Sequence, residues 1–127
     1  MMISGWNSRY NEILKEFKYN KRKDMESAIL LESMIKNQNQ IKKIKQLINN
    51  QIVIVIGSGP SLSYAIPKLK QIKKTITIVA DSALKKVVEN GIKPDIVVTD
   101  LDGDEMTLKK IGKTNVVFVV HAHGDNI

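Results

Sequence analysis

The sequence predicts an α/β protein: a Rossmann-like, mostly parallel sheet with helices on both faces, preceded by a helical N-terminal segment. Three observations carry that reading. Four β-branched runs recur beyond residue 50, at Ile52–Ile56, Thr75–Val79, Asp95–Thr99 and Val116–Val120. Unbroken runs, as opposed to alternating ones, belong to strands covered on both faces, as in parallel sheets. Between them lie stretches long enough for short helices, at Leu62–Ile72, Ala83–Asn90 and Glu105–Ile111. A strand–helix repeat of this kind builds a parallel sheet. The acids also change type along the chain. Glu12, Glu16, Glu26 and Glu32 serve the first part, whereas six of the seven aspartates follow residue 80. Glutamate favours helices, and aspartate favours caps, turns and sites.

Residues 7–48 read as helical. Tyr10, Ile13, Leu14 and Phe17 form one stripe, Ala28, Leu31, Met34 and Ile35 a second, and Ile41, Ile44, Leu47 and Ile48 a third. Breaks are expected at Tyr19–Lys23 and at Asn37–Gln40, with Asp24 as the N-cap of the second helix. The division is therefore residues 1–50 as a helical segment and 51–127 as the first part of a nucleotide-binding catalytic domain. Gly91 reads as the residue that ends a helix, and Pro94 bars helix from the third strand.

Composition narrows the chemistry. The chain has 127 residues and no cysteine, which excludes a disulfide scaffold, a zinc ribbon, a thiol nucleophile and an iron–sulfur site. No apolar run approaches membrane-spanning length, and Met1–Trp6 is too short and polar to read as the apolar region of a signal peptide. The expectation is a soluble, cytoplasmic protein. The net charge of +7 is unevenly placed, with ten basic against five acidic residues up to position 50 and ten against eight beyond. Such an excess suits a nucleotide or another polyanion. Aromatics make up only 5%, so a base-stacking platform for nucleic acid is not expected.

In Rossmann-like sheets, sites form at the carboxyl ends of the strands. All four strand ends here carry chemistry-bearing residues. Gly57-Ser58-Gly59-Pro60-Ser61 follows the first strand and opens a helix, where glycines let a phosphate approach the backbone and free N–H groups meet it. It is neither a P-loop nor a full dinucleotide fingerprint. Asp81 ends the second strand. Asp100 and Asp102 end the third, with Gly103 allowing a bend. Hard carboxylate oxygens with phosphate and water are the ligands Mg²⁺ prefers. Asp104 reads as a helix cap. His121, His123 and Asp125 end the fourth strand at a spacing that a transition-metal hydrolase could use, with Asn126 where such hydrolases continue to another histidine.

Taken in order, Gly57-Ser58-Gly59-Pro60-Ser61-Leu62, Ala80-Asp81, Gly91-Ile92-Lys93-Pro94-Asp95, Thr99-Asp100-Leu101-Asp102-Gly103 and His121-Ala122-His123-Gly124-Asp125-Asn126 resemble one family. It is the archaeal-type 6-hydroxymethyl-7,8-dihydropterin pyrophosphokinases, similar in fold to thiamin pyrophosphokinase. The resemblance covers roughly residues 50–127. It implies transfer of diphosphate from Mg-ATP to a reduced pterin alcohol, releasing AMP, with ATP as co-substrate and Mg²⁺ as the metal. It implies nucleotide contact by Gly57, Gly59 and Ser61, and metal or phosphate organisation by Asp81, Asp100, Asp102 and Asp125. His121, His123 and Asn126 match the last motif. Ser82 stands where glycine would be expected. The alternatives are a nucleotide-binding or glycan-transfer relative without this activity, and a metal-dependent hydrolase built on His121, His123 and Asp125.

The common strand order 3-2-1-4 would set the fourth strand beside the first, with an open outer edge. The chain stops directly after the last motif, without a return helix. The expectation is an N-terminal fragment of a longer protein, or a homodimer that covers this edge.

Overall fold

The computed structural model describes residues 4–35 and 40–123. The chain divides into two compact units, residues 1–35 with 122–127, and residues 36–121. Among the described residues no helix is long and apolar enough to cross a membrane.

The first unit holds α1 (Trp6–Glu16) and α2 (Lys21–Met34). The predicted break lies between them, where Lys18 takes a φ of 55° and Tyr19 N donates to Leu14 O at 2.9 Å. The second predicted break, at 36–39, lies outside the described residues. Asp24 does not cap α2. Asn20 does, accepting from Arg22 N at 2.9 Å and Lys23 N at 3.4 Å. Asparagine caps as well as aspartate and comes earlier in the chain, so the helix starts there. Asp24 sits in the first turn and accepts from the Tyr10 hydroxyl at 3.3 Å, tying the two helices. Neither helix buries an apolar side chain; Ser27, whose Oγ donates to Lys23 O, is their one buried residue.

The second unit contains α3 (Gln40–Ile48), then β1 (Ile52–Ile56), α4 (Leu62–Leu69), β2 (Thr75–Ala80), α5 (Asp81–Glu89), β3 (Ile96–Thr99), α6 (Glu105–Ile111) and β4 (Val117–Val120). The sheet is wholly parallel, as the β-branched runs predict. Its strand order is 1-2-3-4. This corrects the expected 3-2-1-4: β4 lies beside β3, and β1 and β4 are the two edges. A crossover of fixed hand can step to either side of a sheet, and nothing within a strand–helix repeat states which. Here every step goes the same way. Three crossovers of one hand and one direction put α4, α5 and α6 on one face.

The core bears this out. Register pairs Ile56 with Val79, Val79 with Val97, and Val97 with Phe118, so these four share a face. They pack with Leu62 and Ile66 of α4, Ala83, Leu84 and Val87 of α5, and Ile111 of α6. The opposite face carries Val53, Val55, Val98 and Val119, which remain exposed, and also Ile96 and Val117, which are buried.

Local stops follow sequence chemistry. α4 ends two residues after Pro67, which cannot donate to the preceding turn. α5 ends as Gly91 predicts, with φ 75°. Gly91 N donates to Val88 O at 2.9 Å and Ile92 N to Val87 O at 3.1 Å. These paired bonds close the helix and need a left-handed residue, which glycine adopts without a Cβ penalty.

Candidate functional site

The parallel sheet aligns its strand-end loops in the order of its strands. The Gly57–Ser61 turn after β1, Asp81 after β2, the Asp100–Asp102 loop after β3 and His121 after β4 therefore form one row along the carboxyl edge.

The centre of that row is acidic. One carboxylate oxygen from each of Asp81, Asp100 and Asp102 lies within 4.8 Å of the other two. Among the described residues this is the only such group of three potential metal ligands. Asp81 is the first residue of α5, two residues ahead of the predicted helix start. Its Oδ1 accepts from Ser82 N at 2.7 Å and its Oδ2 from Asp100 N at 3.3 Å. The second bond ties the β2–α5 junction to the loop after β3.

The β3 loop is shaped by residues with no predicted role. Thr99 is 2% exposed, and its Oγ1 accepts from Leu101 N at 2.8 Å. Leu101 takes a φ of 72°, a conformation costing a residue with a Cβ about 1–3 kcal/mol. This strained residue sits between the two aspartates. A buried hydroxyl ending a β-branched run is the sequence signal that identifies Thr99.

Gly103 sits at the bend the sequence expects, but its φ is not left-handed, so the bend alone does not demand glycine. Its role is close approach: a Cβ there would stand 3.0 Å from Asp81 Cβ and 3.5 Å from Asp81 Cγ. Asp104 is the cap the sequence predicts for α6. Its Oδ2 accepts from Thr107 N at 2.9 Å and Thr107 Oγ1 at 2.7 Å, and Lys85 Nζ lies 3.2 Å from its Oδ1. The Thr107 bonds and Lys85 hold the Asp104 carboxyl down to about 2.

Asp102 is pushed the other way. A hydrogen bond with the Asp100 carboxyl raises its proton affinity above the ordinary carboxylate value, and the Asp100 charge adds to this. Asp81 contributes more weakly in the same direction. Carboxylates this close repel one another when all are ionised. A divalent cation among them would remove that repulsion. The donor set is all oxygen and anionic, which fits Mg²⁺ better than a softer ion.

Gly57 and Gly59 are glycines whose reason does not lie inside the described chain. Neither takes a left-handed φ. A Cβ on Gly57 would meet nothing within 4 Å, and one on Gly59 only Ser61 Oγ at 4.0 Å. The space they leave is open, as close approach of a ligand to the backbone requires. Ser61 is the N-cap of α4 but makes no side-chain cap bond, and Pro60 sits in the preceding turn.

His121 is exposed, and its N donates to Thr99 O at 2.9 Å. His123 is half-buried and belongs to the first unit. Neither histidine joins the three-carboxylate group. Asp125 and Asn126 lie outside the described residues.

Residues 32–127 match the family described as "MptE-like: 6-hydroxymethylpterin diphosphokinase MptE-like". The chain belongs to this family. It is also 41% identical over 133 positions to a 6-hydroxymethyl-7,8-dihydropterin pyrophosphokinase of Methanocaldococcus jannaschii. Proteins of the same name from Pyrococcus furiosus and Methanothermobacter thermautotrophicus are 41% and 32% identical. Each alignment covers 100% of this chain and 55% of the relative. The chain thus spans about half the length of the curated relatives it matches. The matched region contains the carboxylate group and the glycine turn in full.

Proposed function

We propose that this chain carries the Mg-ATP-organising part of a 6-hydroxymethyl-7,8-dihydropterin pyrophosphokinase, acting in the cytoplasm. The reaction moves the β,γ-diphosphate of ATP to the pterin hydroxymethyl oxygen and releases AMP. The observation that carries the reading is the convergence of Asp81, Asp100 and Asp102 at the carboxyl edge of the sheet, in a chain of this family.

Mg²⁺, when bound, would neutralise the triphosphate and the charge that develops as the Pα–O–Pβ linkage breaks. The rest falls to the chain. Asp81, Asp100 and Asp102 hold the metal. Asp81 is fixed for this by the Ser82 and Asp100 amides. Gly57 and Gly59 leave the backbone open to phosphate, and the positive end of the α4 dipole follows directly in the chain. The uncommitted Ser61 hydroxyl is a further phosphate donor. The family resemblance further implies metal or phosphate organisation by Asp125, and His121, His123 and Asn126 match its last motif. Catalysis of this type is mostly positioning and charge stabilisation, so rigid placement of the carboxylates matters more than any single acid or base.

The test is titration calorimetry with Mg-ATP, paired with nucleotide chromatography. Asp102→Asn should weaken Mg-dependent ATP binding by at least about tenfold, because a direct ligand matters more than an outer-shell partner. AMP should form with 6-hydroxymethyl-7,8-dihydropterin and not with thiamin. Unchanged Mg-ATP affinity in folded Asp102→Asn would overturn the metal site. AMP formed with thiamin alone would overturn the acceptor.

A further inference from the structure

The amino edge of the sheet, opposite the carboxylates, holds a cavity of about 510 Å³. The Gly91-Ile92-Lys93-Pro94-Asp95 motif forms part of its wall, and no step of the proposed reaction uses that motif. Asp95 precedes β3 and Asp100 follows it, so the cavity and the carboxylates lie about 16 Å apart along the strand, at about 3.3 Å per residue. Every lining residue belongs to the second unit. The floor is core: Ile111 is buried, and Val88, Ile92 and Val116 pack against the central cluster. The rim is cationic. Lys43 comes from α3, Lys93 from the loop before β3 and Lys110 from the last turn of α6. All three are exposed, and none forms an ion pair among the described residues. Asp95 is the one acid in the lining, and its Oδ2 already accepts from Thr77 N at 2.8 Å. Gly91 closes α5 and Asp95 ties β2 to β3, so within the motif Lys93 is the residue that the fold does not explain.

The charge at this edge can be weighed. α5 and α6 both end here, and the carbonyl end of a helix counts as about half a negative charge. Against Asp95 and these two ends, the three lysines keep an excess of about one positive charge. We infer that the cavity is a binding site for a small apolar monoanion, a ring or chain carrying one carboxylate. The apolar body covers Val88, Ile92, Ile111 and Val116, and the carboxylate meets Lys93 and Lys110, whose flexible stems let the ammonium groups close on it. The volume falls within the range of about 300–1,000 Å³ usual for small-ligand sites, and apolar walls with a few polar groups are their usual lining. A bare phosphate has no apolar body to set on this floor, and a neutral ring leaves the cationic rim unmatched. The site is distinct from the Asp81, Asp100 and Asp102 group and stands without the pyrophosphokinase reading.

Amide NMR of the 127-residue chain tests this by titration with 2-naphthoate, octanoate, the uncharged amide of each, and inorganic phosphate. At least one carboxylate should saturably shift the amides of Ile92, Lys93, Thr114 and Asn115 and leave those of Asp81, Asp100 and Asp102 in place. Tighter naphthoate assigns a ring as the body, and tighter octanoate a chain. The matching uncharged amide should bind at least about fivefold more weakly, and phosphate should not shift these signals. Lys93→Gln combined with Lys110→Gln should keep the rest of the spectrum and weaken the carboxylate at least about fivefold, the scale of exposed ion pairs. No saturable shift, equal affinity for the uncharged amide, or undiminished binding in the double variant would overturn the inference. So would shifts centred on the three aspartates, which would put the probe in the metal site. Shifts of the same amides with protein concentration alone would assign the cavity to a second copy and overturn it too. The readout involves neither Mg-ATP nor turnover, so the pyrophosphokinase reading and this one can fail separately.

Discussion

A methyl group on Gly103 would have to displace Asp81, because the atom it meets at 3.0 Å is Asp81 Cβ, which is anchored to the backbone and has no flexible end to swing away. Gly103→Ala should therefore act on metal binding more than on folding. Mn²⁺ affinity, followed by electron paramagnetic resonance, should fall by about tenfold, the scale seen when a ligand's support is disturbed. Unchanged affinity would mean that Asp81 is not a ligand. Gly59→Val separates the same two effects on the nucleotide side. The open space around Gly59 admits a side chain without a clash, so circular dichroism should be unchanged. ATP affinity by calorimetry should drop at least about tenfold if phosphate enters that space. An unchanged affinity would leave the loop as a plain turn. At this scale the sequence shows residue types well and reasons poorly. The aspartates announce a site by their position after β-branched runs. Gly103 reads as a bend because glycine usually serves turns, and its close approach to Asp81 exists only once β2 and β3 are neighbours. Thr99 hides in its strand because threonine is also a good β residue.

Between elements, α6 depends on Asp104 for its start, and that dependence is pH-sensitive. Two Thr107 bonds and Lys85 favour the ionised carboxyl, whose value falls to about 2 from an unperturbed 3.8. Its contribution is therefore complete above the unfolded value and is lost as pH falls through the folded one. Asp104→Ala should lower Tm at neutral pH by about 5 °C, the usual scale for a lost N-cap. The gap between wild type and variant should hold down to about pH 5 and close between about pH 4 and pH 2. Thermal melts across that range check it; a gap that persists at pH 2 would mean that the carboxylate charge is irrelevant to the cap. The exposed Lys85 pair adds little by itself. Element positions were legible because their causes are local. The β-branched runs fix the strands, Gly91 fixes the end of α5, and Asp104 fixes the start of α6. The first helical boundary slipped because Asn20 and Asp24 are equivalent caps to a reader of sequence. α5 begins at Asp81, ahead of the predicted Ala83, because a polar residue after a strand can open a helix as well as end a strand.

For the whole molecule, strand order is the property the sequence leaves open, since every strand–helix repeat is compatible with a step to either side. Order decides which loops are neighbours. With 1-2-3-4, β3 lies between β2 and β4, so the Asp100–Asp102 loop lies between Asp81 and His121; with 3-2-1-4 it would have been at the margin. The division into units carries a prediction of its own. In the second unit Val79, Ala83, Val87 and Val97 are fully buried, whereas α1 and α2 bury no apolar side chain. A pair of helices that buries so little gains little against the entropy of ordering its backbone. Local opening should thus occur in the first unit well before the sheet opens. Trypsin finds Lys18, Lys21, Arg22 and Lys23 together at the α1–α2 junction, all exposed. Limited proteolysis at low enzyme concentration should cut there first and leave a product that retains the sheet. Lys85 and Lys86 serve as an internal control: both are exposed, but they lie on α5 among the buried residues Ala83, Leu84 and Val87. Their cleavage requires the core helix to unwind into the protease. Mass spectrometry of the early products should therefore show new N-termini at residues 19–24 and none at 86 or 87. Early cleavage at Lys85 or Lys86 would place the weakest part of the chain in the sheet unit and defeat the prediction.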